Sequence, residues 1–230
     1  MARIFYVEDD LNLSFVVKDC LQMAGHEVHH FTKGDEAIEA FHKVDYDICI
    51  LDVMLPNVDG FTIAKAIRNK NYQIPIIFIS ARIQLEDKLE ALNIGGDDYL
   101  FKPFSIEELL LKVTIFLKRK QVDTHSGASE PNFYSFGIFT YDTANFILRA
   151  DQEEIRLTQR EADLLTFFLK NQGKLLRRED ILVALWGQDD YFLGRSLDVF
   201  ISRIRKYLSI DRNVVIENVP RIGFKLVVGE

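Results

Sequence analysis

Ile48-Cys49-Ile50-Leu51-Asp52-Val53-Met54-Leu55-Pro56-Asn57-Val58-Asp59-Gly60 sets an apolar run against a carboxylate and then a loop punctuated by proline and glycine. A short continuous apolar run reads as a strand of a parallel sheet buried on both faces, and the carboxyl end of such a strand is where open α/β sheets carry their chemistry. Asp52 closes this run. Working outward, Ile4–Val7 is followed by Glu8, Asp9 and Asp10, Ile76–Ile79 by Ser80, and Tyr99-Leu100-Phe101 by Lys102. One parallel sheet would bring all of these polar groups to the same edge. Carboxylates, a hydroxyl and a lysine gathered there make a magnesium-assisted phosphoryl-transfer site.

The surrounding pattern supplies that sheet. Strand-like runs fall at 3–8, 26–31, 47–52, 75–80 and 97–101, with amphipathic stretches near 11–24, 34–42, 60–69, 84–94 and 105–119. Five β–α pairs in sequence predict an α/β, doubly wound, five-stranded parallel sheet with helices on both faces. No glycine-rich dinucleotide or nucleotide-triphosphate loop follows any strand. Residues 120–131 lose periodicity and collect small polar residues, which predicts a flexible linker of roughly 15–25 Å between domains 1–119 and 132–230.

The second half changes character. Phe133–Tyr141, Asn145–Arg149 and Glu154–Leu157 are β-rich pieces broken by turn residues, which predicts an antiparallel meander. Thr158-Gln159-Arg160-Glu161 is a capping box opening a helix with Leu164, Leu165, Phe168 and Leu169 on its inner face. A short helix at 178–186 ends in Trp186-Gly187, and a third at 194–208 carries Leu197, Ile201, Ile204 and Leu208 on one stripe. Val214–Val219 and Phe224–Val228 then flank Pro220-Arg221-Ile222-Gly223 as a hairpin. Three helices followed by a hairpin is the order of an α+β winged helix-turn-helix.

Composition sets the class. With 48% hydrophobic and 27% charged residues the chain reads as soluble and globular, and no apolar stretch approaches transmembrane length. Acid appears too early for a signal peptide, and Cys20 and Cys49 lack metal or redox spacing, so a cytoplasmic location is expected. The net charge of −7 is uneven. Residues 195–225 hold seven bases against three acids, and local charge governs phosphate binding.

An aspartyl phosphate needs an attacking carboxylate, a cation on the transferring oxygens and a fixed charge beside the product. Asp52 is the expected nucleophile, Glu8, Asp9 and Asp52 the magnesium ligands, Lys102 the fixed cation, and Ser80 a hydroxyl able to bond the new phosphate. Lys102-Pro103 reads either as a cis bond aiming the lysine inward or as a trans turn, and Tyr99 either as a switching aromatic or as an edge-strand tyrosine. On the third helix, the face opposite the apolar stripe carries Arg195, Val199, Ser202 and Lys206, flanked by Arg203 and Asp198, and suits a major-groove reader.

Val7-Glu8-Asp9-Asp10, Asp52-Val-Met-Leu-Pro56, Ser80-Ala81, Gly96-Asp97-Asp98-Tyr99 and Lys102-Pro103-Phe104 resemble a receiver domain of the flavodoxin-like fold. With the C-terminal half, the chain resembles an OmpR/PhoB-type response regulator over essentially its whole length. The resemblance implies phosphorylation of Asp52 by a sensor histidine kinase, with the Met54 carbonyl joining the magnesium ligands. It also implies a homodimer face built on Lys88 with Glu108, Asp97 with Arg119, and Asp98 with Lys112. Partners would be double-stranded promoter DNA and RNA polymerase, with no membrane. The implied DNA contacts are Arg195, Ser196, Val199, Phe200, Ser202, Arg203, Lys206 and Arg221. Two positions depart from the pattern: Phe200 stands where many relatives carry histidine, and Pro220-Arg221 stand where arginine and glycine are usual in the wing.

The competing readings are an aspartate-nucleophile phosphatase, which would want a second acid where Met54 stands, and a DNA-binding regulator that works without phosphate. No enzymatic activity is expected beyond magnesium-dependent self-phosphorylation and dephosphorylation at Asp52.

Overall fold

The computed structural model describes residues 1–81, 85–122, 131–187 and 191–229, with side chains for all of these except 85, 119–122 and 191–195. The chain divides into two compact units, Met1–His125 and Ser126–Glu230.

In the first unit, β1 (Arg3–Val7), β2 (Glu27–Phe31), β3 (Ile48–Asp52), β4 (Ile76–Ser80) and β5 (Asp98–Phe101) form a parallel sheet in the order β2-β1-β3-β4-β5. Helices α1 (Leu11–Met23), α2 (Gly34–Phe41), α3 (Gly60–Lys70), α4 (Leu85–Asn93) and α5 (Ile106–Val122) alternate with them. Side chains alternate across a strand, and here both faces are apolar. Phe5, Val7, Cys49, Leu51 and Phe78 pack in one core with residues of α2 and α3, while Ile4, Tyr6, Ile48, Ile50, Ile77 and Ile79 pack in the other with residues of α1 and α5. Every residue of β3 and β4 is buried, the carboxyl-end residues Asp52 and Ser80 included.

Helix starts fix the loops around those ends. The Asp10 side chain accepts from the Asn12 and Leu13 amides and opens α1, and Asp59 accepts from the Thr62 amide and opens α3. Gly60 is required by close approach: a Cβ there would lie 2.1 Å from the Asp52 carbonyl oxygen. Helix α5 continues to Val122, three residues into the stretch expected to be linker, because Lys120 and Gln121 are good helix formers. Residues 123–130 of that stretch lie outside the described residues.

The second unit begins with an antiparallel sheet of β6 (Phe133–Phe136), β7 (Phe139–Asp142), β8 (Ile147–Ala150) and β9 (Glu153–Arg156). Phe133–Tyr141, expected as one piece, is two strands, because the chain turns back at Gly137 with φ 54°. Then come α6 (Gln159–Lys170), a two-residue β10 (Leu176–Arg177), α7 (Arg178–Trp186), α8 (Tyr191–Leu208), β11 (Val214–Val219) and β12 (Gly223–Val228). The capping box is formed, with Thr158 and Glu161 each accepting from the other's backbone amide, and Gly187 ends α7 in the left-handed conformation. Strand β10 pairs with β12 and anchors the terminal hairpin; at two residues it is too short for periodicity to reveal.

Candidate phosphoacceptor site and nucleic-acid interface

The ends of β1, β3 and β5 bring Glu8, Asp52 and Lys102 together. Lys102 Nζ lies 2.6 Å from Asp52 Oδ2 and 2.7 Å from Glu8 Oε2, across sequence separations that only the sheet order could close. The second oxygen of Asp52 accepts the Met54 amide at 2.8 Å, which fixes the carboxylate plane. Glu8, Asp9 and Asp52 each offer an oxygen within 4.8 Å of the others. Such an all-oxygen set fits a hard divalent cation. Asp9 is exposed while Glu8 and Asp52 are buried, so the site opens on one side.

Electrostatics agree with that geometry. Burial pushes Glu8 up to about 7; the Lys102 hydrogen bond opposes this and the Asp52 charge adds to it. Burial alone would lower Lys102, but its bonds to Asp52 and Glu8 outweigh burial and hold the ammonium above its ordinary range. The pocket therefore has more negative charge than its lysine balances.

Ser80 is fully buried at the end of β4, and its carbonyl accepts the Lys102 amide at 2.8 Å. The Lys102-Pro103 peptide is cis. Tyr99 is buried, 3% exposed, with its ring 4.9 Å from that of Phe101.

Of the residues implied as a dimer face, Lys88, Asp97, Asp98 and Lys112 are all buried within one chain. Asp98 and Lys112 pair with each other at 3.0 Å, and Lys88 Nζ stands 5.6 Å over the Phe101 ring. Asp97 corrects the sequence reading. It is 0% exposed and bound to Arg68 Nη2 at 2.7 Å, and it also accepts the Ile76 amide, so it is an internal brace and not a surface charge. Glu108 is half-buried, and the Arg119 side chain lies outside the described residues.

In the second unit, Ser202 and Lys206 of α8 are exposed and Val199 is half-buried, so these three share its outward face. The Arg195 side chain lies outside the described residues. Three implied contacts are relocated. Phe200 is 0% exposed, its ring 5.9 Å from that of Trp186 in the core. Ser196 is 2% exposed. Arg203 donates to the buried Glu161 carboxylate at 2.8 Å, beside the Tyr207 hydroxyl, and so ties α8 to the start of α6. Arg205 likewise donates two bonds to the Ile216 carbonyl. Arg221 is exposed at the hairpin tip with φ 65°, a left-handed position that favours glycine, so the wing keeps a glycine-type turn with arginine in it.

Residues 4–114 match the response regulator receiver domain, and residues 152–226 match the C-terminal domain of transcriptional regulatory proteins. The chain is 39% identical over 228 residues to the transcriptional regulatory protein RprY of Bacteroides fragilis, covering 99% of this chain and 95% of that one. The chain belongs to the two-component response regulators of the OmpR/PhoB type.

This response regulator is also 32% identical over 225 residues to ArlR of Staphylococcus aureus, covering 97% of its own chain and 99% of the relative. Among solved structures it is similar to DrrB, an OmpR/PhoB homologue from Thermotoga maritima, at 29% identity and a TM-score of 0.54 with 99% of each chain covered. It combines a receiver with a winged-helix DNA-binding domain and regulates transcription. Among its described residues no helix is long and apolar enough to cross a membrane.

Several residues of this response regulator that shape the two sites carried no signal in the sequence. Tyr6 points its phenol into the core beneath the acids. Burial first, then the charges of Glu8, Asp52 and Asp10, raise its pKa above the ordinary tyrosine range. His30 Nε2 bonds the Glu8 carbonyl at 2.9 Å. Strand alternation places Tyr6 on the same side of the chain as Glu8, but nothing in the sequence reveals His30 or Arg68 in these roles. Glu161 was legible as half of a capping box, yet its grip on Arg203 depends on how α8 crosses α6.

Proposed function

We propose that Asp52 is the phosphoacceptor of this response regulator, receiving its phosphoryl group from a phosphohistidine of a sensor kinase. The observation that carries this reading is Asp52 held between Lys102 Nζ and the Met54 amide within an acidic cluster whose exposed member is Asp9. An Asp52 carboxylate oxygen attacks phosphorus in line, the phosphorus–nitrogen bond breaks, and the imidazole leaves with that electron pair and takes a proton. Magnesium held by Glu8, Asp9, Asp52 and the Met54 carbonyl would neutralise charge on the transferring oxygens. Lys102 balances the charge left on the product, and the Ser80 hydroxyl hydrogen-bonds it. No other catalysis is assigned: the same site adds and loses one phosphoryl group.

The output follows from the signal at Ser80 and Tyr99. Their shift alters the surface of α4, β5 and α5, where Lys88, Glu108, Asp98, Lys112 and Arg119 pair two receivers about a two-fold axis. Asp97 joins that surface only by leaving Arg68. The dimer presents two α8 helices to promoter DNA, with Val199, Ser202, Lys206 and Arg195 facing the major groove and Arg221 the flanking groove. RNA polymerase is the expected partner on the promoter, and the cytoplasm the expected compartment. The test is intact mass with acetyl phosphate and magnesium: one phosphoryl group on the wild type and none on Asp52→Asn supports the reading, and label persisting on the variant rejects it.

A further inference from the structure

Tyr6 carries a hydroxyl that the fold buries and leaves without a partner. The residue is 0% exposed, and its phenol oxygen makes no hydrogen bond among the described residues. A buried polar group in that state is costly and marks a place where something else is bound at another moment. The ring lies against His30, its cross-strand partner on β2, with ring centres 5.2 Å apart, and His30 Nε2 in turn bonds the Glu8 carbonyl at 2.9 Å. Residues two apart along a strand share a face, so Tyr6 lies on the Glu8 side of β1. After burial, the charges of Glu8, Asp52 and Asp10 act on its phenol in that order. Glu8 is itself 0% exposed and shows the matching gap. Its Oε1 accepts from Lys102 Nζ at 2.8 Å and from the Asp10 amide at 3.3 Å, whereas Oε2 lies 2.7 Å from the same ammonium and receives no hydrogen bond. A donor without an acceptor and an acceptor without a donor thus stand on the same side of one strand.

We propose that Tyr6 is a positioning residue of the cation site, its hydroxyl donating to the Glu8 carboxylate once a divalent cation displaces Lys102 there. This rests on the reading of Glu8, Asp9 and Asp52 as the cation ligands and adds the group that serves Glu8 after its lysine has gone. Lys102 is a like charge to any divalent cation drawn to the same carboxylates, so its hold on Glu8 weakens as the site fills. Glu8 stays buried, and a buried carboxylate oxygen without a donor is costly. A phenol hydrogen turns about its C–O bond to suit an acceptor, so the new bond needs a small movement of the Glu8 side chain and none of the sheet. A ligand carboxylate held from behind in this way is oriented for the metal before the metal arrives.

The test is calorimetric titration of the full chain with magnesium, beside thermal unfolding in chelator and in magnesium, for the wild type and Tyr6→Phe. Tyr6→Phe removes one oxygen and keeps the ring against His30. Its magnesium dissociation constant should rise about tenfold, the scale of one lost hydrogen bond to a ligating carboxylate. In chelator its melting temperature should equal or exceed that of the wild type, because the hydroxyl has no partner there. Magnesium should then raise it by less than it raises the wild type. Tyr6→Leu also lacks the hydroxyl and should match Tyr6→Phe in magnesium affinity; it decides if Tyr6→Phe does not fold. An unchanged magnesium dissociation constant overturns the inference. So does a melting temperature lowered equally in chelator and in magnesium, which would make Tyr6 a packing residue alone. A wild type that takes up no magnesium in the titration rejects Glu8, Asp9 and Asp52 as cation ligands, a result read without any Tyr6 variant.

Discussion

The phosphoacceptor edge and the outward face of α8 are both charged surfaces built from residues that the sequence singles out, yet they differ in how the side chains end up. At the sheet edge Glu8, Asp52 and Lys102 converge within hydrogen-bonding distance. On α8, Phe200 and Ser196 turn into the core and Arg203 turns inward to Glu161, leaving Val199, Ser202 and Lys206 outward. A strand has two faces and one end, so a polar residue closing an apolar run can go only to the sheet edge. A helix presents a continuous circumference. Which side of it is water depends on the crossing angle and on every neighbour, and a long arginine can reach back to a buried acid. The lesson concerns basic residues: a positive count along a helix overstates the charge offered to DNA when one of its arginines is already paired inside.

That contrast can be broken most sharply at the sheet edge. Asp52→Asn should reduce phosphoryl incorporation from acetyl phosphate to background, because an amide is no nucleophile and also removes the carboxylate beside Lys102. Retained incorporation, measured by intact mass, would mean that another acid of the cluster does the work.

On α8 the largest effect should be on stability. Phe200→Ala empties a buried site beside Trp186 and should destabilise the second unit by about 3–5 kcal/mol in denaturant unfolding. A variant of unchanged stability that loses DNA affinity would return Phe200 to the reading face. Arg203→Ala should cost about 3 kcal/mol by the same measurement, because it leaves the Glu161 carboxylate buried with only part of its partners. Should its main effect instead be on base preference, the inward pairing described here gives way on DNA.

Glu8 offers a pH test of the edge. A carboxyl whose folded pKa is raised binds its proton more tightly when folded, so its contribution is present below the ordinary value of 4.5 and is lost as pH climbs to about 7. Without divalent cations, Glu8→Gln should therefore gain on the wild type in melting temperature across that interval. Parallel curves for the two proteins would place Glu8 in a better-compensated environment than its burial implies.

The smallest expected change sharpens the DNA side. Lys206 is exposed and carries no ion pair among the described residues, so Lys206→Ala should weaken binding uniformly across sequences and flatten the salt slope by about one. A change confined to one base position would make Lys206 a reader of bases.

By itself the sequence determined the order of elements, the capping box at Thr158 and the stop at Gly187, and it singled out Glu8, Asp9, Asp52 and Lys102, which the sheet brings together. These depend on local chemistry and on the period of two, which are written in neighbouring residues. Tertiary structure alone decided that Asp97 braces Arg68, that Arg203 belongs to Glu161, that Lys88 rests on Phe101 and that β10 exists. Strand β10 exists only through its backbone pairing with β12, and the other three contacts join residues apart in the chain through side chains long enough to choose among several partners. Their choice is set by which partner is already buried, where an unpaired charge is most costly. That quantity exists only once the elements have packed.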